Sequence, residues 1–187
     1  MRVYTRRGDD GTTALRSGAR VRKDSLAVEV NGTVDEAQAF LGLARAELAR
    51  GEATDTLLVA LERDLWVLMA EVATPSAARD GLVPGETAVS PEMVTRLEEA
   101  IDAALEGLDL AASFAVPGDN RVSATLDCAR TVVRRAERLA VGLELAGSLV
   151  VTYLNRLSDL CWALARRAER EHLVNARARS ARGRGGR

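Results

Sequence analysis

Aliphatic residues in this chain return mainly at every third or fourth position, and none of its stretches alternates for long at every second. Leu57, Leu58, Leu61, Leu65, Leu68 and Val72 form the clearest run. Such spacing paints one apolar stripe along a helix and cannot serve one face of a strand. Aromatic residues are only 3% of a chain that is 47% hydrophobic, so the core must be made of Leu, Val and Ala. Abundant Ala, Leu, Glu and Arg favour helix over strand as well. A length of 187 residues suits one domain.

Local signals divide that pattern into five helices. Thr33-Val34-Asp35-Glu36 reads as a capping box and predicts a first helix from there to Arg50, with Gly51 ending it. A second is expected from Asp55 to Ala73, stopped by Thr74-Pro75. Residues 76–89 read as a loop. Ser90-Pro91-Glu92 places a cap and a first-turn proline at the head of a third helix that runs to Leu108. After a break at Phe114–Asp119, a fourth helix runs from Asn120 to Leu145 and a fifth from Leu149 to Val174. No stretch alternates strongly enough to predict a strand. The expected fold is an all-α antiparallel bundle of five helices over residues 32–174. An arm over residues 1–31 precedes it, and an Arg/Gly-rich tail over residues 175–187 is expected to be disordered.

The formal charge is −1, but five arginines and no acid lie between Val174 and Arg187, which leaves −6 on the remainder. A mildly acidic body argues against a nucleic-acid surface on the fold. Cys128 and Cys161 stand in no metal or redox spacing and read as buried free thiols in a reducing cytosol. His172, the only histidine, reads as a surface residue. Neither a membrane span nor a secretory signal is apparent, so a soluble cytoplasmic protein is the expectation.

Three polar clusters depart from ordinary bundle surface. In Tyr4-Thr5-Arg6-Arg7-Gly8-Asp9-Asp10-Gly11-Thr12-Thr13, with Gly18, Arg20 and Lys23 beyond, two glycines free the backbone amides to face an anion. Hydroxyls and basic groups add donors. The spacing fits either a triphosphate cradle or a plain flexible arm, and it is not a Walker loop. Arg130, Arg134, Glu137 and Arg138 share one face of the fourth helix. They fit a phosphate clamp or a solvated face of intrahelical pairs. Tyr153-Leu154-Asn155-Arg156-Leu157-Ser158-Asp159 puts four polar residues inside a helix, as a binding stripe or an inter-helix network.

With NGTVDEAQAFLGLA, DLWVLMAEVATP and SFAVPG, these segments resemble the PduO-type ATP:cob(I)alamin adenosyltransferases from Val3 to about Glu169. The resemblance implies a homotrimer of five-helix bundles with ATP between neighbouring subunits. It implies transfer of the 5′-deoxyadenosyl group of ATP to the cobalt of cob(I)alamin, made by reducing cob(II)alamin. Thr5, Arg6, Gly8, Asp9, Gly11, Thr12 and Thr13 match its ATP-binding arm, and Lys23 its phosphate-contacting lysine. Arg134, Glu137 and Asn155 match residues near the nucleotide. Asp35 and Arg130 resemble a salt-bridged pair that supports the site near the subunit interface. Phe114 matches the phenylalanine that packs on the lower face of the corrin, and Trp162 stands where a corrin-side Phe is common. Mg²⁺ is implied on the ATP phosphates with no direct protein ligand. A cob(II)alamin reductase and an adenosylcobalamin-dependent mutase are implied partners.

The chain departs from the family pattern at Ser17-Gly18, Gln38, Pro117-Gly118-Asp119, Asp127 (commonly His) and Trp162. None of these removes a residue given a chemical role. Two other functions fit the sequence: a carrier of adenosylcobalamin with little turnover, and a helical interaction protein that works through its arginine tail.

Overall fold

The computed structural model describes residues 4–16, 18–108 and 115–169. Five α-helices dominate it: α1 (Leu26–Ala46), α2 (Ala53–Val72), α3 (Pro91–Leu105), α4 (Arg121–Val141) and α5 (Val150–Ala168). A 3-10 helix, Ser76–Gly81, brings the helices to six. Ahead of them a short antiparallel hairpin pairs β1 (Thr12–Ala14) with β2 (Arg20–Arg22), Thr13 opposite Val21. The sequence predicted no strand. Three residues per strand are too few for alternation to show.

The helix starts divide by the kind of signal behind them. At α3, Ser90 accepts from the Met93 amide and Pro91 opens the first turn. At α4, Asn120 accepts from the Ser123 amide at 2.9 Å while the Ser123 hydroxyl accepts from the Asn120 amide. Both starts fall where the sequence placed them. For α1 the capping-box reading fails, because the helix begins seven residues before Thr33. The Thr33 hydroxyl donates backwards to the Glu29 carbonyl at 2.8 Å inside the helix. Val30, Val34, Ala37 and Leu41 are fully or almost fully buried at helical spacing, so the apolar stripe runs straight through the apparent cap.

Side-chain ties fix the register. Leu26 packs at Gly142, where an added Cβ would come within 3.1 Å of its Cδ2. Arg135 pairs with Glu36, and Arg121 with Glu47. Thus α1 and α4 run antiparallel, with the start of α1 at the end of α4. Asn31 donates to the Met69 carbonyl and Arg45 pairs with Glu62, so α2 runs antiparallel to α1. Glu98–Arg156 and Glu106–Arg167 set α3 parallel to α5. The packing order is therefore α2–α1–α4–α5–α3. Tyr153 of α5 and Arg96 of α3 both reach Asp64 of α2, linking the outer helices back together.

The core is aliphatic as expected, with Tyr153 its one buried aromatic among the described residues. Small residues concentrate on three helices: Ala37 and Ala44 on α1, Ala129, Ala136 and Ala140 on α4, Ala163 and Ala165 on α5, all buried. No described helix is long and apolar enough to cross a membrane.

Candidate functional site

The arm is built around a compact turn. Asp10 accepts from the amide and the hydroxyl of Thr12, at 3.0 and 2.7 Å. Arg20, from the facing strand, donates to Asp10, to the Thr12 hydroxyl and to the Arg7 carbonyl. The Thr12 bonds, then the Arg20 charge, hold the Asp10 carboxyl below its usual range. Gly11 sits at φ +81°, a conformation in which a side chain is strained. Gly8 is required for another reason. A Cβ there would lie 3.0 Å from the Thr12 carbonyl oxygen and 3.2 Å from Lys23 Cε and Nζ. The Lys23 ammonium thus folds over the Gly8 backbone, with its own amide bonded to the Gly11 carbonyl at 2.9 Å. Thr5, Arg6 and Asp9 are exposed at the mouth of this turn, and Arg6 lies over the Tyr4 ring. The strands pair with each other, and Arg16 in the turn between them shares a hollow with Thr74, Leu82 and Glu86.

The second group lies across α4 and α5. Asn155 donates to Glu137 at 2.9 Å, and its carbonyl oxygen accepts from Arg156 at 2.6 Å. Arg156 also holds Glu98 on α3 at 2.9 Å. Arg134 is exposed one turn before Glu137, and its guanidinium has no partner among the described residues. Its carbonyl accepts from Arg138. A free guanidinium beside a braced carboxylate–amide pair suits a nucleotide: charge for phosphate, acceptors and donors for the rest.

A third group lies where α4 begins and α5 ends. Arg130 binds Asp127 at 3.0 Å through Nε, and Asp127 also accepts from Arg166 at 2.6 Å. Arg166 is held in turn by Glu169. Asp35 is exposed and pairs with no basic side chain among the described residues. The structure of one chain thus puts Arg130 on Asp127, not on Asp35. Trp162 is half-buried and lines a groove of about 430 Å³ between α3 and α5, with Ile101 and Leu105 as its apolar walls. Phe114, Ser17, His172 and the 175–187 tail lie outside the described residues.

Sequence reasoning missed Arg166 and Glu169, and it named Arg156 only as a member of the polar stripe on α5. The signal for Arg166 was there: it follows Ala163-Leu164-Ala165, all buried, so it puts a charge on the apolar side of α5. Among the described residues no three His, Cys, Asp or Glu converge as metal ligands.

A family model described as cobalamin adenosyltransferase matches residues 3–168. The chain belongs to that family. It is 41% identical over 169 residues to the corrinoid adenosyltransferase PduO of Salmonella typhimurium, covering 89% of this chain but 49% of that protein. The chain thus spans about half the length of that relative. To a corrinoid adenosyltransferase of Citrobacter freundii it is 38% identical over 168 residues, 88% of this chain and 93% of the other. Among solved structures it resembles a Phe-to-His variant of the PduO-type ATP:corrinoid adenosyltransferase from Lactobacillus reuteri, complexed with cobalamin and ATP. The TM-score is 0.80 at 27% identity, over 89% of this chain and 90% of that one. An Arg-to-Lys variant of the same enzyme, complexed with ATP, gives a TM-score of 0.77 at 27% identity, over 89% and 93%.

Proposed function

We propose that this chain transfers the 5′-deoxyadenosyl group of ATP to the cobalt of cob(I)alamin. The observation that carries this reading is the unpaired Arg134 guanidinium beside the Glu137–Asn155 pair, in a chain of this family. In the reaction a cobalt–C5′ bond forms and the C5′–O5′ bond breaks. Triphosphate leaves with the electron pair of that bond. Cob(I)alamin is itself a strong nucleophile, so the chain needs no general base. Its tasks are alignment and positive charge at the leaving group.

Lys23 and Arg134 supply that charge, and Mg²⁺ held on the phosphates adds to it. The turn at Gly8, Gly11, Thr12 and Thr13 receives the triphosphate, with Thr12 exchanging its amide and hydroxyl bonds to Asp10 for phosphate oxygens, and with Thr5, Arg6 and Asp9 at its mouth. Glu137 keeps one carboxylate oxygen for a nucleotide hydroxyl, while Asn155 holds the other. Phe114 and Trp162 would face the corrinoid, Phe114 filling the space of a lower axial ligand and so easing reduction of cob(II)alamin. A homotrimer completes the site in this reading: the arm meets α4 of a neighbour, and Asp35 meets the free end of Arg130 across the interface. A cob(II)alamin reductase and an adenosylcobalamin-dependent mutase are the partners such an enzyme needs.

The test is anaerobic. The protein is mixed with MgATP and chemically reduced cob(I)alamin, and the visible spectrum is followed. Adenosylcobalamin formed over many turnovers is the expected result. Binding of both substrates by calorimetry without product would make the chain a carrier, and binding of neither would overturn the assignment.

A further inference from the structure

Asp127, Arg130, Arg166 and Glu169 form a closed charge cluster between α4 and α5. Arg166 is 2% exposed, Glu169 1% and Asp127 6%. Arg166 Nη2 donates to Glu169 at 2.9 Å and to Asp127 at 2.6 Å, while Nε lies 2.8 Å from the other Glu169 oxygen without hydrogen-bonding geometry. The other Asp127 oxygen accepts from Arg130 Nε at 3.0 Å. Two positive and two negative groups cancel, as burial demands. Desolvation offsets most of what such a cluster gains, and apolar side chains of equal volume would join the helices as well. Direction is what it provides.

Two half-buried groups take their direction from it. Arg130 is 28% exposed and hydrogen-bonded only through Nε, which leaves its terminal nitrogens without a partner among the described residues. Trp162 sits one turn before Arg166, whose guanidinium carbon is 6.0 Å from the ring centroid. The ring faces the α3–α5 groove. Asp127 is suited to its place because a carboxylate can accept from two arginines at once. The histidine common in the family here, when neutral, has one acceptor nitrogen.

We propose that Arg166, acting through Asp127, is a positioning residue for adenosyl transfer. It fixes the direction of Arg130 and the plane of the Trp162 ring, and so the orientation in which the corrinoid seats. The proposal rests on the adenosyltransferase reading above. Arg134 and Glu137 lie one to two turns farther along α4, so the nucleotide end depends on the cluster much less.

The experiment is a double-mutant cycle with Asp127→Asn and Arg130→Lys, reading kcat, both KM values and the melting temperature. Each single variant is expected to raise the corrinoid KM about tenfold and to leave the ATP KM within about twofold. The double variant should be no worse than either alone, because both break one connection. Multiplied effects, or a lower melting temperature with unchanged corrinoid KM, would overturn the proposal. Asp127→His, with the same expectation, replaces Asp127→Asn if that variant does not fold. In a Trp66→Phe background Trp162 is the sole tryptophan, and Asp127→Asn should make its emission more open to acrylamide quenching. Unchanged quenching overturns the proposal even if the wild-type chain makes no adenosylcobalamin, an outcome that would sink the functional reading separately.

Discussion

Arg134 and Cys161 are opposite cases of what a helix can do with one side chain. Arg134 projects from α4 with its charge uncompensated, a placement that gains nothing for the fold. Arg134→Ala is therefore expected to keep the melting temperature and to cut adenosyl transfer by about a hundredfold or more, the scale of losing one aimed donor at a leaving group. Steady-state turnover of cob(I)alamin checks it; near-normal turnover would remove the clamp assignment. Cys161 is wholly buried, whereas Cys128, expected to be buried too, is exposed on α4; burial pushes the Cys161 thiol up from 9.0 to about 12. The unfolded chain releases that proton near its ordinary value, so the neutral thiol stabilises the fold fully below about pH 9 and less and less as pH rises toward 12. Denaturation midpoints should fall across that window. Cys161→Ala should flatten the fall, leaving the part due to Tyr153, whose buried phenol is raised in the same direction.

At the scale of elements, much was legible and the misses are instructive. The starts of α3 and α4 rest on Ser90 and Asn120, whose caps are local and appear in the sequence as such. The start of α1 was misread because Thr33 and Glu36 imitate a cap within a helix that burial of Val30 and Val34 extends backwards. Asn155 and Glu137 were both picked out from the sequence, yet their bond spans 18 residues and two helices, and only the register of α4 on α5 reveals it. The Asp127–Arg166 contact spans 39 residues and left no local trace. Ion pairs also differ in weight by element. Glu71, 2% exposed in α2, accepts from the Val89 amide and from Arg79, both at 2.7 Å, and so pins the 76–89 segment to the bundle. Glu71→Gln should lower unfolding free energy by about 2 kcal/mol. The Arg22–Asp24 pair is largely exposed, and Arg22→Ala should leave the midpoint unchanged. Urea denaturation distinguishes the two.

For the whole molecule, the hairpin leaves the bundle at Leu26, beside the end of α4 and about 12 Å along that helix from Arg134. The proposed trimer lets a neighbouring chain close that gap. Sedimentation should then give a mass of about 60 kDa, against 20.0 kDa for one chain. A monomer turning over at full rate would place the whole site within one chain.

The buried alanines of α1, α4 and α5 govern how this protein is free to diverge. Where two backbones meet over a methyl group, any larger residue wedges them apart; where a leucine fills the space, any smaller one leaves a hole. A saturation scan of the chain should therefore show two opposite tolerances interleaved along the same helices. Ala129, Ala136 and Ala140 should reject growth, and Leu58, Leu65 and Leu126 should reject loss, so drift in the core proceeds by paired exchanges across a seam rather than by single steps.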